Sequence, residues 1–207
     1  MPRRRAGRSR EARIALLHAL AHIELNAIDL AWDLVARFAE ARPDDALPRA
    51  FFDDWVSVAD DEAHHFLMLD DRLADFDAGY GALPAHDGLW QAAQETAADL
   101  LARLAVVPMV LEARGLDVTP AMIERLEGFG DRRSAALLRT IYADEITHVT
   151  AGCRWFRHVC AHRGLAPVAT WQGLVGRHFK GVLKAPFNES ARRRAGLSAA
   201  FYAPLAG

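Results

Sequence analysis

The sequence predicts an all-α chain: four long helices in a bundle, a long crossover between helices 2 and 3, and extra helices at the C-terminus. Apolar residues recur at three- and four-residue steps over long stretches, no strand-like alternation persists, and Gly- and Pro-rich breaks cut the pattern into helix-length pieces. At 207 residues and 52% hydrophobic content the chain can bury one good-sized core. Residues 1–207 are therefore read as a single domain, with the bundle over about 10–163 and a helical extension over about 165–207.

The first helix runs from about Arg10 to Glu40, with Ile14, Leu17, Ala21, Leu25, Ile28, Trp32 and Val35 marking its apolar face. Arg42-Pro43-Asp44-Asp45 ends it. The second runs from about Pro48 to Asp75 on a stripe of Phe52, Trp55, Ala59, Phe66, Leu69 and Leu73. Residues Asp77 to Gly88 are dense in Gly and Pro and too many for a tight turn, which marks a crossover. The third helix begins near Leu89 and carries Leu100, Leu104, Val107 and Leu111, with Pro108 as a kink. It is expected to break at Gly115 to Pro120, because Thr119 before Pro120 reads as an N-cap and first turn, and to reverse at Gly128-Phe129-Gly130-Asp131. The fourth helix runs from Arg132 to about His162, closed by Arg163-Gly164. A short helix around Val168 to Val182 and a polar helical stretch complete the extension.

With 25% charged residues and a net charge of −2, nothing draws in a nucleic acid or a membrane by long-range attraction. The basic runs Pro2 to Arg10 and Arg192-Arg193-Arg194 read as solvated ends. No segment reaches the roughly 18 consecutive apolar residues of a membrane span, and no apolar signal core follows the N-terminal charges, so a cytoplasmic protein is expected. Cys153 and Cys160 are seven apart in a helical pattern, about 10 Å between Cα atoms, too far for a disulfide, and read as reduced core thiols.

Two segments share one chemical pattern: Asp61-Glu62-Ala63-His64-His65 and Asp144-Glu145-Ile146-Thr147-His148. In each, Glu and His are three apart, on one helix face about 4.5 Å apart along the axis, as a shared metal ion requires. Glu24 and Glu112 lie in otherwise apolar surroundings. One Glu from each of two helices and a Glu-x-x-His from each of the others is the ligand set of di-iron and di-manganese bundles of the ferritin-like type. Two ligands at one height on antiparallel neighbours should flank their turn equally. The midpoint of Glu24 and Glu62 falls at Pro43, and that of Glu112 and Glu145 between Gly128 and Phe129. Four buried glutamates would be prohibitive unpaired, whereas two divalent ions balance them. His18, His22, His64, His158 and His162 do not share the ligand face. Gly152, on the face of Glu145 and His148, leaves either space beside the metals or room for close helix packing. Arg114 reads as an ordinary salt-bridge partner.

The stretches Ala21 to Leu30, Val107 to Pro120, Asp144 to Val149 with Arg154-Trp155-Phe156, and Phe179-Lys180-Gly181 with Ala185-Pro186-Phe187-Asn188 resemble the bacterial ferritin-like family catalogued as domain of unknown function 455. The resemblance covers nearly the whole chain, implies the ferritin-like fold, and brings no substrate with it. In resembling di-iron bundles an aspartate preceding a ligand glutamate accepts a hydrogen bond from a ligand histidine on the opposite helix, which implies Asp144 near His65 and Asp61 near His148.

The expected function is that of an oxidoreductase with two irons, or manganese and iron, held by Glu24, Glu62, His65, Glu112, Glu145 and His148. It would act on dioxygen and an unknown small substrate with an external electron donor, as a monomer or small homo-oligomer. The break after Glu112 offers a channel and the C-terminal extension a roof. The alternative is iron handling as a ferroxidase, and a third reading is RNA modification of the tRNA-hydroxylase kind, which the net charge does not favour.

Overall fold

The computed structural model describes residues 7–40 and 47–207, and among them every regular element is helical. The first helix, α1 (Arg10–Phe38), starts at Ser9, whose hydroxyl accepts from the Ala12 N–H at 3.1 Å. It packs along α2 (Arg49–Ala74). The pair is antiparallel: Arg10 donates to the Phe76 carbonyl, while further along α1 Glu24 meets Glu62, further back on α2. The turn expected at Arg42 to Asp45 lies outside the described residues. By length and composition α1 passes as a membrane span, yet 56% of its apolar window is buried within the protein.

The crossover, residues 75–87, is pinned to α1 and α2 by side chains. His18 Nε2 accepts from the N–H groups of Gly81 at 3.0 Å and Leu83 at 3.3 Å, and Asp70 accepts from the Tyr80 N–H at 2.7 Å. His22 bridges the Tyr80 hydroxyl at 2.9 Å and the His86 carbonyl at 2.6 Å.

The helix expected to begin near Leu89 is two helices. The first of them, α3 (Gly88–Glu95), stops where Thr96 turns its hydroxyl back on the Ala92 carbonyl at 2.8 Å. Asp99 then caps a new start by accepting from Leu101 N–H at 3.0 Å, so the long third helix begins at α4 (Leu100–Val106). Arg103, fully buried, ties these pieces to α1 through Asp33 and to the end of α3 through Thr96 and the Ala93 carbonyl.

From Leu100 to Gly128 the chain remains helical, through α4, a π-helical segment Val107–Glu112 and α5 (Ala113–Gly128). The break expected at Gly115 to Pro120 does not occur, and Thr119 lies within α5. Pro120 has no N–H for the Leu116 carbonyl, but that carbonyl accepts from Asn188 Nδ2 at 3.1 Å, so a tertiary partner replaces the lost helical bond. The irregularity sits earlier, around Pro108, where the missing N–H and the ring widen the helix by a π turn. Gly152 on the facing helix is a close-packing position: a Cβ there would lie 2.5 Å from Pro108 Cβ.

After the turn at Gly130 (φ 79°), Asp131 caps α6 (Arg132–His162) through Ser134 N–H at 3.1 Å. The extension comprises α7 (Pro167–His178), α8 (Glu189–Arg194), α9 (Ala199–Tyr202) and a final 3-10 turn. It is part of the core, since Trp171, Phe201 and Tyr202 are buried. Arg192 is not a solvated end. It is 3% exposed and holds Asp117 with two bonds of 2.8 and 2.7 Å, because the shielded Asp117 carboxylate on α5 needs a cation. Cys153 and Cys160 are free and buried, and burial pushes their thiols up to about 12 and about 11.

Asn188→Ala removes the bonds to the Leu116 carbonyl and the Tyr142 hydroxyl and the cap on Ala191 N–H. Urea unfolding should show a loss of about 2–3 kcal/mol; an unchanged midpoint would mean that the carbonyl released by Pro120 finds another partner.

Candidate metal centre

Along each long helix the order of residues is the same: apolar, charged, apolar. On α2, Trp55 and Ala59 belong to one apolar cluster and Leu69 and Leu73 to another, with Glu62 and His65 between them. On α1 Glu24 lies between Leu17 and Ala31, and on α6 Glu145 and His148 lie between Ile141 and Val149. Each helix thus gives one or two polar side chains to a single layer crossing the core.

Glu24, Glu62 and His65 present atoms within 4.8 Å of one another, as do Glu62, Glu145 and His148. Glu62 belongs to both groups. Its Oε2 is 3.2 Å from His65 Nδ1 and its Oε1 is 3.1 Å from His148 Nδ1, so the carboxylate spans the two histidines. Glu24 Oε2 stands 3.5 Å from His65 Nδ1 and Glu145 Oε2 3.9 Å from His148 Nδ1. Ligands sharing one ion at about 2.1 Å are about 3 Å apart when at right angles, close to these separations. Glu112, at the end of the π segment, is half-buried and stands outside both groups, its Oε2 shielded beside the second.

Both imidazoles are held from behind. His65 Nε2 is 3.1 Å from Asp144 Oδ2 and His148 Nε2 is 3.2 Å from Asp61 Oδ2. An ionised carboxylate only accepts, so each Nε2 carries a proton and each Nδ1 faces the layer's interior.

Five buried atoms here have no hydrogen-bond partner: Glu24 Oε2, Glu62 Oε1, Glu112 Oε2, Glu145 Oε2 and His148 Nδ1. His148 Nδ1 and Glu62 Oε1 are neighbours at 3.1 Å, yet they lie side by side rather than along one N–H···O line. Buried polar atoms almost always find partners. A set of orphans converging in one layer fits cations held between them, and all six residues offer donor atoms suited to a hard or borderline divalent ion.

The electrostatics describe the same need for positive charge. Burial pushes Glu24 and Glu145 well above the usual carboxylate range and Glu112 up to about 7, with the charge of Glu62 adding to each. Burial also works to raise Glu62, but the close approach of Glu24 and both histidines outweighs it and holds it low. Burial disfavours charged imidazoles, yet Glu24, Glu62 and Asp144 lift His65 to about 10, and Asp61 and Glu62 lift His148 well above its usual value. Protons fill the role that cations would otherwise take.

A cavity of about 880 Å³ opens on the carboxylate side of the layer, touching Glu24, Glu62, Glu112 and Glu145. The crossover and α3 contribute His86, Gly88 and Leu89 to it, and the extension Pro186. Arg114, also on its wall, is a salt-bridge residue, 3.3 Å from Asp117 and 2.7 Å from the Lys184 carbonyl. His22 and His18 anchor the crossover, a role that helix-face reasoning did not reveal. Polar histidines on the otherwise apolar face of α1 were the available signal.

Over residues 1–203 the sequence matches the family described as protein of unknown function (DUF455). It is also similar to an uncharacterized protein of Haemophilus influenzae (strain ATCC 51907 / DSM 11121 / KW20 / Rd), 38% identical over 196 residues, covering 94% of this chain and 68% of that protein. No solved structure matches.

Asp144→Asn should weaken binding of a divalent ion titrated into metal-free protein by roughly 10- to 100-fold while leaving the circular dichroism unchanged. An unaltered affinity would make the contact with His65 incidental to metal binding.

Proposed function

The chain belongs to the DUF455 family, whose description assigns no activity, and we propose from its site that it is a di-iron carboxylate oxidoreductase built on a ferritin-like four-helix bundle. The observation that carries this reading is the position of the carboxylate layer, which forms one wall of an apolar cavity large enough for a small organic substrate. Glu62 would bridge two ions, His65 with Glu24 would hold one, and His148 with Glu145 and Glu112 the other. Four carboxylates and two divalent ions balance in charge, and oxygen ligands with one imidazole per ion suit iron or a manganese and iron pair.

Such ions, when bound and reduced, supply electrons for converting R–H, dioxygen, two electrons and two protons to R–OH and water, the electrons being replaced by an external carrier. The chain's own residues set the conditions. Asp61 and Asp144 retain the Nε2 protons, so each Nδ1, which faces inward, would hold an ion once its own proton leaves. Leu16, Leu20, Ile23, Leu30 and Leu111 exclude water from the substrate side and orient a C–H bond toward the carboxylates. Those walls favour an organic substrate over the iron-handling alternative, because hydrated iron passes poorly along aliphatic side chains. The reduced thiols Cys153 and Cys160 fit the cytoplasmic setting read from the sequence.

Metal-free protein given iron(II) and air should saturate at about two irons per chain and elute as a monomer or small oligomer. Glu62→Ala should lose at least one of the two, since both halves of the layer share Glu62. Uptake of many irons per chain into a large mineral-bearing shell would replace the oxidase reading with iron storage.

A further inference from the structure

The cavity has a shape and a distribution of charge that point to a class of ligand. α1 packs on α2 and α5 on α6, and the cavity fills the gap between α1 and α5. Its lining on α5 follows one helix face: from Glu112, just before α5, through Gly115, Thr119 and Met122 to Arg125. Thirteen residues of helical rise separate Glu112 from Arg125, about 20 Å. On α1 the lining runs in parallel from Glu24 through Ile23, Leu20 and Ala19 to Leu16. The result is a long aliphatic trough with the carboxylate layer along it and Arg125 at its far end.

Arg125 is exposed, and among the described residues it has no ion-pair or hydrogen-bond partner. The other cation on the wall, Arg114, sits beside Asp117, whose oxygens are already held by Arg192 at 2.8 and 2.7 Å. Arg125 is thus the arginine of the lining that has no carboxylate partner among the described residues, at the end of the trough away from the glutamates. A trough of about 880 Å³ walled by aliphatic side chains is also too large to be a packing fault in a close-packed interior.

We propose that this trough binds an amphipathic monoanion: one unbranched apolar chain lying between α1 and α5, with its carboxylate at Arg125 and its body running past Met122 and Leu20 toward Glu112. The inference names the substrate class of the site proposed above and rests on that reading for its chemical meaning, but binding itself needs no metal. The chain buries aliphatic surface against Leu16, Leu20 and Ile23. The carboxylate meets a guanidinium with no competing partner among the described residues. A bulky or multiply charged ligand satisfies neither condition.

The test is calorimetric titration of the full-length, metal-free protein with dodecanoate, octanoate and dodecanol. Dodecanoate should bind at one per chain, and dodecanol about tenfold more weakly. Arg125→Gln should weaken dodecanoate by about the same factor and leave dodecanol unchanged. Ala19→Phe, which fills the trough, should abolish dodecanoate binding while retaining some octanoate; should that variant fail to fold, Thr119→Phe, about 9 Å along α5 from Arg125, makes the same test from the opposite wall. Equal affinity for acid and alcohol, indifference to Arg125→Gln, or no binding of either to folded protein would each overturn the proposal. Two irons per chain with no dodecanoate binding would sink this inference alone. Dodecanoate bound as described by a chain that takes up no metal would uphold the trough and remove the oxidase reading instead.

Discussion

Glu24, Glu62, Glu112 and Glu145 share one layer, with His65 and His148, of an otherwise largely apolar core, and most of what surrounds them answers the cost of placing them there. An isolated ionised carboxylate in such a setting costs many kcal/mol and takes up a proton instead. The directions of the pKa shifts show this happening, with Glu24 and Glu145 pushed up by burial and the imidazoles lifted by the acids. Of the four, Glu62 alone is held low, by the close approach of Glu24 and both histidines. It occupies the centre, touching both histidines. A layer of this kind is stable only when its donors stay aimed at one another's cations or protons, which makes helix register the quantity the fold has to control.

Register on the α6 side is set by packing at two points. Pro108 fills the space left by Gly152, and Gly115 lies beside the Glu145 carboxyl carbon, at 4.0 Å from a Cβ built there. As the chain advances from 108 to 115, its partner on α6 retreats from 152 to 145, so the two helices run antiparallel with Glu112 opposite His148. The π segment ends at Glu112 and rotates that residue relative to a regular α-helix. The extension then secures α5 from outside through Asn188 on Leu116 and Arg192 on Asp117.

The Glu-x-x-His pairs, the two further glutamates and the four long helices were legible in the sequence because each depends on local spacing, and spacing converts directly to helix face and height. What escaped depends on residues far away in the chain. Pro120 reads as a helix start from its neighbours, and only Asn188, beyond the end of α6, lets the helix pass through it. Arg192 looks like a charged end until Asp117 is seen beside it. Spacing places His18 and His22 off the ligand face and goes no further, because their bonds to Gly81, Leu83, Tyr80 and His86 exist only once the crossover folds back over α1. The turn of the third and fourth helices was placed to within a residue or two, since Gly130 supplies the positive φ there.

The division of labour between bundle and additions follows from which residues line the cavity. Its inner wall is Glu24, Glu62, Glu112 and Glu145, all from the long helices, whereas its upper rim is His86, Gly88, Leu89 and Pro186, from the crossover, α3 and the extension. Changes in the long helices disturb the charged layer, so they act on whatever chemistry it supports. The crossover, fastened to α1 and α2 by His18, His22 and Asp70, shapes the rim and contributes no side chain to the layer. On the proposed reading, ligand preference can therefore vary through the rim while the layer stays fixed. On the proposed reading the trough and the layer share α1 and α5 while the rim comes from other elements, so a change in the rim that alters ligand affinity at full metal content separates binding from the layer.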